Sequence, residues 1–491
     1  MITKEMRMRL LESMRDEEEG NQRQFLLNFL IMRKVNIEFL ALHQAFEKES
    51  FEEAEDPENY KMYGVPYISE GGRWENLRDS GGVTANRLQY AFVEICRQCP
   101  EYQKILEQDE SWTQVGDRLR ETAYDIFSEL QEDKKNPLDF LEMYEYVMAF
   151  ASPLLPGTGE YYSPREIGQL MARLLDLDEG VLYDPCCGSG SLLIEAAIYR
   201  KKMQENGNHA ADGRLRLYGQ EMSPDAWKTA KMNLLMHDME ADLGNYAENV
   251  FIKDLHPDLR ADYIVANPPF VTGEWGNENS YTDPRWIYGV PPKKKSSFAW
   301  LQHMLYHLGD NGRMTVVLSA GSLEGGAASE RKIRQRMIED DVIEGVILLP
   351  AGLFYFTRIL TAVWIVSRRK SPQCRKKILF INGRNMGEKG GKIVKLKEKE
   401  INRICDIWKA YNEGSGEVLT DISAEAELEN IRRKEYSLFP DKYIWQKKEK
   451  LSTYSELESE EGELEVRLAE LWRNSQVTMY EIIKGLEKIS E

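Results

Sequence analysis

Asp184-Pro185-Cys186-Cys187-Gly188-Ser189-Gly190 and Asn267-Pro268-Pro269-Phe270 are the segments whose residue types and order can do chemistry. The first follows an apolar run, Gly180-Val181-Leu182-Tyr183, and precedes an apolar-periodic stretch from Leu192 to Tyr199. That is the strand, glycine turn, helix order of a nucleotide-type fold. Its glycines let backbone N–H groups approach a ligand, and an anionic group such as a carboxylate can sit at the start of the helix. The second segment leaves a buried-strand pattern, Asp262-Tyr263-Ile264-Val265-Ala266, through two prolines that fix the backbone and donate no hydrogen bond. It sets the side-chain oxygen of Asn267 and the carbonyl of Pro268 side by side as acceptors. An amino group conjugated into a purine ring is a poor nucleophile. Two acceptors aimed at its protons favour the pyramidal, more nucleophilic form in the transition state. Phe270 offers a face on which an extruded base stacks. A Pro-Pro pair after a strand is by itself more often a loop exit. With the glycine turn upstream in the expected order, the pair reads as an S-adenosylmethionine site followed by a site for methylating an amino group. Asn267, Pro268, Pro269 and Phe270 are its catalytic residues.

These residues need a sheet to hold them. From Val181 onward strand and helix patterns alternate, which predicts an α/β fold with a doubly wound, mostly parallel, Rossmann-like sheet. Strands are expected at 181–184, 215–218, 249–253, 262–266, 313–318, 342–348, 361–366 and near 378–381. Leu217-Tyr218-Gly219-Gln220-Glu221 ends the second of these in a carboxylate that can accept both ribose hydroxyls. It lies farther from Asp184 than the usual ~20 residues, with the polar stretch 200–214 as an intervening loop. Asp254, after the third, is a candidate for the cofactor's adenine amino group, although an Asp at a strand end is often a turn residue. Ser163 as N-cap, Pro164 at the first helical position and Glu166 three residues on predict a helix start. Its free N–H groups suit a carboxylate as well as a cap.

At 491 residues the chain exceeds one hydrophobic core. Expected are an all-helical N-terminal domain at 1–152, the methyltransferase domain at 153–400 and a helical tail at 401–491 that docks a partner. In the first, Phe25, Phe29, Met32, Val35 and Phe39 mark one buried face, and 65–74 is a loop with an exposed Arg73-Trp74 pair. In the tail, Leu457, Leu464, Leu468, Leu471, Ile482 and Ile489 give an interrupted heptad-like stripe. A formal charge of −18 argues against a large nonspecific nucleic-acid surface. DNA remains open as a substrate, gripped by a partner or by cations confined to one face. The segment 271–296 interleaves Trp275, Tyr281, Trp286 and Tyr288 with Lys293-Lys294-Lys295. That suits a nucleic-acid backbone and an extruded base, and equally a solvated lysine run. Six cysteines lack a disulfide-framework spacing, and no signal peptide or apolar run of membrane length is present, so a cytoplasmic, membrane-free protein is expected. Cys96 and Cys99 form a lone pair in a helical pattern and read as packing. No metal is expected.

The motifs resemble those of the DNA-modification (methyltransferase) subunits of bacterial type I restriction-modification systems, over nearly the whole length. Gly159-Glu160-Tyr161-Tyr162-Ser163-Pro164-Arg165 resembles the family's upstream cofactor motif, and Tyr183-Asp184-Pro185 with Cys187-Gly188-Ser189-Gly190 its glycine motif. Tyr218-Gly219-Gln220-Glu221, Ala266-Asn267-Pro268-Pro269-Phe270 and Phe298-Ala299-Trp300-Leu301-Gln302-His303-Met304-Leu305 also fit. So do Asn311-Gly312-Arg313-Met314, Asn28-Phe29-Leu30 and Tyr436-Ser437-Leu438-Phe439-Pro440. Cys186 stands where the family usually has Ala, and Ser189 and Ser191 where Thr and Gly are common; these small-for-small changes should keep the turn. Phe354-Tyr355-Phe356-Thr357-Arg358-Ile359 lacks the family's usual glycines.

The resemblance implies a site-specific N6-adenine DNA methyltransferase that flips its target base. Two modification subunits and one specificity subunit would form the methyltransferase, and added restriction subunits, the endonuclease and translocase component, would form an endonuclease. Sequence reading would lie in the specificity subunit. The cofactor S-adenosyl-L-methionine would be held by Glu160, Tyr161, Tyr162, Ser163, Pro164 and Arg165. The turn would add Asp184, Pro185, Cys187, Gly188, Ser189, Gly190 and Ser191, with Glu221 on the ribose and Asp254 near the adenine. Two alternatives stay open. A protein-glutamine methyltransferase shares an Asn-Pro-Pro-aromatic strand end, but Phe270 rather than Tyr and the long helical first domain favour DNA. A cofactor-binding scaffold without catalysis would not need Asn267 and Phe270 intact.

Overall fold

Short runs rich in Val, Ile and Leu alternate with helices that cover both faces of what they build, a nine-stranded sheet. The computed structural model describes residues 3–15, 19–98, 102, 111–130, 138–151, 163–206, 213–270, 273–354, 359–390, 393–415 and 418–444. The strands are β1 Gly180–Asp184, β2 Leu215–Gly219, β3 Ala241–Asp242, β4 Ala261–Ala266, β5 Leu308–Ser319, β6 Ile343–Leu348, β7 Thr361–Ser367, β8 Lys377–Asn382 and β9 Ser423–Glu427. Their spatial order is β9-β8-β6-β7-β5-β4-β1-β2-β3. All residues of β6 and β7 are buried, as expected of strands covered on both faces. The pairs β1/β2, β2/β3, β1/β4, β4/β5 and β6/β8 are parallel. β7 runs antiparallel between β5 and β6, and β9 antiparallel to β8 at one edge.

The order fixes where a ligand can bind. The chain moves outward from β1 through β2 to β3, then returns to the other side of β1 to lay down β4. Connections leave β1 and β4 in opposite directions, and the crevice beyond their carboxyl ends is the place where open parallel sheets take ligands. Asp184 closes β1 and Asn267 follows β4.

The longer helices are α1 Lys4–Ser13, α2 Glu19–Glu47, α3 Ala85–Gln98, α4 Asp117–Ser128, α5 Leu138–Ala151, α6 Arg165–Leu175, α7 Ser191–Glu205, α8 Pro224–Met236, α9 Ser297–His307, α10 Ala328–Glu339 and α11 Glu398–Glu413. Phe25, Phe29, Met32, Val35 and Phe39 of α2 are buried together, and Met232 and Met236 of α8 join the same cluster. The helical region is therefore fastened to the helix after β2. Lys34 of α2 adds ion pairs to Glu38 at 2.8 Å and Asp238 at 2.7 Å. Burial works against its ammonium, and those two carboxylates overcome it and raise its pKa.

Three expectations need correction. Residues 249–253 form a turn, and the strand after α8 is the two-residue β3 at Ala241–Asp242. Asn249 makes the turn: its Oδ1 accepts from the Phe251 N–H at 2.9 Å, and its carbonyl from the N–H groups of Ile252 and Lys253 at 2.8 and 2.9 Å. Trp74, expected at the surface, is 4% exposed. It stacks on Tyr124 with ring centroids 5.0 Å apart and donates from Nε1 to Ser128 Oγ at 2.8 Å. The expected boundary at 400 falls inside α11, whose Ile401, Ile404, Ile407, Trp408 and Tyr411 are buried with sheet residues, and β9 completes the sheet beyond it. The chain divides into units Met1–Tyr443 and Ile444–Glu491. The leucine stripe of the tail lies outside the described residues, as does Cys99; Cys96 is packed in the helical core. Among the described residues no helix is long and apolar enough to cross a membrane.

Candidate active site

β4 delivers Asn267 into the crevice almost fully buried, at 7% exposure. Its Nδ2 donates to Ser163 Oγ at 2.9 Å. Its Oδ1 is buried and has no hydrogen-bond partner among the described residues. The two ends of the amide are thus distinguished by a residue 104 positions away in sequence. Ser163 does not cap α6 as expected; its hydroxyl is used by Asn267. The helix opens at Arg165, with the Pro164 carbonyl accepting from Ile167 and Gly168 at 2.9 and 3.2 Å. Pro268 is buried and Pro269 exposed. Phe270 is half-buried, edge-on to Phe354 with centroids 5.6 Å apart at 78°. Residues 355–358 of the glycine-poor loop lie outside the described residues.

The turn after β1 is held on every side. Gly188 and Gly190 take φ of +54° and +76°, left-handed values that favour glycine. The Gly190 N–H donates to the Cys187 carbonyl at 2.7 Å, and Asn233 of α8 donates to the Ser189 carbonyl at 2.9 Å. Glu221, just past β2, reaches across: Oε2 accepts from the Gly188 N–H, and Oε1 from the N–H groups of Met222 and Ser223, each at 2.8 Å. Gln220 beside it binds the turn that Asn249 begins, donating to the Glu248 and Lys253 carbonyls at 3.1 and 2.8 Å. Cys187 packs in the sheet's core and Pro185 is buried, while Ser189 and Ser191 are half-buried.

Asp184 is the anomaly of the site. Its Oδ1 accepts from the Cys186 N–H at 3.0 Å, while Oδ2 is buried with no hydrogen-bond partner among the described residues. Burial pushes this carboxyl up to about 8; the Cys186 N–H opposes the shift and the charge of Glu221 adds to it. A buried acid with a free oxygen beside a second carboxylate is a place for a cation with N–H donors.

Asp254 is already occupied. Its Oδ1 accepts from the His256 N–H at 2.9 Å, and His307 Nε2 lies 2.8 Å from Oδ2. Burial works against its charge, but the His307 contact and the backbone donor hold the carboxyl below its usual range. His307 Nδ1 faces the Leu259 carbonyl at 3.1 Å. One turn earlier, His303 takes a hydrogen bond on Nδ1 from Arg285 at 2.7 Å; burial, then His307 and Arg285, push its pKa well below the usual value. Donor atoms of Asp254, His303 and His307 lie within 4.8 Å of one another. Each is committed to a hydrogen bond, and the adjacent guanidinium repels a cation. The cluster is a polar network that ties α9 to the turn carrying Asp254. Of its two histidines, four apart on one helix face, only His303 falls inside the Phe298–Leu305 motif; His307 lies just beyond it.

The aromatic residues expected to meet nucleic acid are mostly spent inside the fold. Trp275, Trp286 and Tyr288 are buried, with Trp275 and Trp286 packed against Phe251. Trp275 Nε1 donates to the Pro292 carbonyl at 2.9 Å. Lys293, Lys294 and Lys295 stay exposed, with Lys293 Nζ 4.9 Å from the centroid of Tyr281. Arg165 is exposed and pairs with Glu195 at 2.8 Å; Glu160, Tyr161 and Tyr162 lie outside the described residues. The structure brings Asp184, the glycine turn and Glu221 into one hydrogen-bonded group, and Ser163 to Asn267. Sequence reasoning missed the supports at Gln220, Asn233 and His307.

The N-6 DNA Methylase family model matches residues 136–451. The type I restriction enzyme HindI methylase subunit of Haemophilus influenzae is 34% identical over 305 residues, 62% of this chain and 67% of its own. The type I restriction enzyme MjaIX methylase subunit of Methanocaldococcus jannaschii is 27% identical over 468 residues, 89% of this chain and 82% of its own. In fold, the chain is similar to the crystal structure of the type I restriction-modification system methyltransferase subunit from Streptococcus thermophilus. The TM-score is 0.74 at 23% identity, covering 90% of this chain and 99% of that one. A chain from a structure describing complex assembly and conformational transition of the type I R-M system gives 0.63 at 20% identity, covering 96% and 98%. The motif resemblance therefore holds: the chain belongs to the N-6 DNA methylase family, as an N6-adenine DNA methyltransferase of the type I restriction-modification kind.

Proposed function

We propose that the crevice beyond β1 and β4 transfers the methyl group of S-adenosylmethionine to N6 of an adenine flipped out of DNA. The carrying observation is the buried Oδ1 of Asn267, which has no partner among the described residues, in an amide that Ser163 holds by its nitrogen. A buried acceptor left unpaired costs roughly 1–3 kcal/mol. An amino N–H supplied by a substrate recovers it. Asn267 Oδ1 and the Pro268 carbonyl accept from the target amino group while Phe270 stacks on its ring. The acceptors favour nitrogen in its attacking form, and orientation within the crevice supplies much of the rate.

The residues present also fit the cofactor. S-adenosylmethionine supplies a methyl group on a sulfonium. The free oxygen of Asp184 takes an α-ammonium, and the turn Cys187–Ser191 with Pro185 shapes the pocket around the methionine half. Glu221 exchanges its backbone donors for ribose hydroxyls, and Asp254, fixed by His307, faces the adenine amino group. By the motif resemblance, Glu160, Tyr161, Tyr162, Pro164 and Arg165 belong to the same cofactor site, with Ser163 through its backbone.

Sequence choice is assigned to a specificity subunit, with a second modification subunit completing the methyltransferase and restriction subunits joining to cleave. The relatives bear the names of subunits, and this chain has an acidic balance of 64 Lys and Arg against 82 Asp and Glu. The test is transfer of label from S-adenosylmethionine to unmethylated DNA by the chain alone, by the chain with the specificity protein, and by both with Asn267→Ala. Label on adenine N6 from the mixture, lost in the variant, is the expected result. Activity from the isolated chain would refute dependence on a separate reader, and full activity of Asn267→Ala would refute the site.

A further inference from the structure

We propose that Lys293, Lys294 and Lys295 join Arg331 and Lys332 in a strip that grips the phosphates of the DNA strand flanking the flipped adenine. The inference rests on the DNA-methyltransferase reading of the Asn267 crevice and names the surface that reading still lacks. Acids outnumber bases in the chain, so a run of five cations of which only Lys295 has an acid partner among the described residues is a departure that needs explaining. Two segments distant in sequence build it. The loop before α9 lies along α10, with Arg336 donating to the Tyr288 carbonyl at 2.9 Å and Lys295 Nζ 3.2 Å from Glu330. Lys293, Lys294, Arg331 and Lys332 are all exposed, and among the described residues none of them forms an ion pair. Nearby cations differ: Arg432 is paired with Glu339, and Lys442 with Glu324.

Topology places the strip at the right edge of the sheet. β5 runs parallel to β4, with Val316 opposite Ala266, so Ser319 ends at the same edge as Asn267. α10 starts there, nine residues on, and Arg331 and Lys332 lie near its first turn. α9 runs from this edge back to the start of β5, so its N-terminus, just after Lys295, lies there too. Two helix N-termini add positive potential to the lysines and the arginine. A nucleotide whose base is seated on Asn267 carries its own phosphates to this edge, and the strand must leave across it. Tyr288, Lys332, Gln335, Arg336, Glu339 and Asp340 line an open cleft behind the strip, and its two acids end the cationic run on that side. Repeated single negative charges along a backbone match a line of cations, all but Lys295 without an ion-pair partner among the described residues, better than an acidic protein patch does.

The experiment uses the full chain with its specificity subunit and the triple substitution Lys294→Gln, Arg331→Gln, Lys332→Gln. Lys295 is left alone because Glu330, its partner, holds the Ala327 N–H at the start of α10. DNA affinity is measured across a salt series, cofactor affinity by equilibrium binding, and assembly by sedimentation. With three phosphates no longer neutralised, the slope of log affinity against log salt should fall by about 2–3, since each contributes about 0.9. Cofactor affinity and assembly should not change. An unchanged slope in an assembled complex overturns the proposal. Loss of assembly at an unchanged slope also overturns it and marks the strip as a protein-docking surface. A wild-type complex that binds DNA but never labels it would count against the methylation reading instead, because the salt slope is read without turnover.

Discussion

Ser163→Ala tests the site at its least visible joint. The hydroxyl of Ser163 and the amide of Asn267 are both buried and lie 2.9 Å apart, and among the described residues no other partner orients the amide. Removing the hydroxyl leaves the Nδ2 donor unpaired and lets the amide rotate half a turn. In the rotated state an NH₂ meets the target's own amino group, donor against donor. Loss of a net hydrogen bond is worth about 0.5–1.5 kcal/mol, and an unsatisfied buried donor about 1–3 kcal/mol. Taking roughly 1.5–3 kcal/mol for the productive orientation predicts a fall of about 10- to 100-fold in the single-turnover methylation rate. The loss should appear in the chemical step, with DNA affinity and cofactor affinity within about twofold of wild type, because neither ligand's binding groups are removed. Rapid-quench transfer of labelled methyl by the assembled complex reads this directly. Asn267→Ala should lose about 100- to 1000-fold, as for removal of one preorganised polar group at a developing charge. In that background Ser163→Ala should add almost nothing, since the hydroxyl it removes served to orient a group no longer there. A single-turnover rate unaltered by Ser163→Ala, or multiplicative losses in the double variant, would refute the orientation argument.

Asp184 makes binding pH-dependent. Its carboxyl is pushed up to about 8, so in the free protein it stays protonated until that range, and the stability this brings, full below the unfolded value, is lost as pH rises through 8. An ammonium ligand needs the carboxylate, so calorimetric affinity for S-adenosylmethionine should rise from pH 6 to 9 while the melting temperature of the free protein falls; Asp184→Asn should flatten both trends. Glu221→Gln weakens three backbone hydrogen bonds made to a charged acceptor and also the ribose site. Cofactor affinity should drop about 10- to 100-fold, at about 1.5–3 kcal/mol for a hydrogen bond to a charged group, and equal affinities by calorimetry would remove Glu221 from the pocket. His307→Asn releases Asp254 Oδ2 and should raise KM for the cofactor about tenfold, roughly 1.4 kcal/mol, with kcat little changed; a kcat-only effect in steady-state assays would contradict the positioning role.

The site's two segments were legible because each is a local device. A glycine turn between a strand and a helix, and an asparagine before two prolines at a strand end, can be recognised within a few residues. What fixes them is not local. Ser163 has the type and the place before Pro164 of a helix cap, and nothing between 163 and 267 announces that the hydroxyl is claimed elsewhere. Val250-Phe251-Ile252 reads as a strand because apolar content is all the sequence shows. Asn249 turns the chain there, and Phe251 is buried against Trp300 at 4.5 Å, so the hydrophobicity serves a cluster rather than a ladder. The tryptophans of 273–296 mislead in the same way. Aromatic residues beside lysines suit a nucleic-acid surface, but three of the four named aromatics are consumed in shaping the loop, which leaves the lysines as its exposed chemistry.

The strand order explains why these corrections leave the functional reading intact. β1 and β4 are neighbours, although α7, β2, α8 and β3 separate them in the chain, and that adjacency alone brings the Asp184 turn and Asn267 to one crevice. A misplaced third strand changes the far edge of the sheet, at β3, and not the switch point. The supports follow from the same geometry. α8 sends Asn233 to the glycine turn with one face and packs Met232 and Met236 into the helical region with another. The residue that turns the catalytic amide stands in the segment entering α6, within the motif proposed to hold the cofactor. One hydrogen bond therefore links the cofactor side of the crevice to the acceptor on the target side, and a disturbance of either should be felt first in the orientation of Asn267.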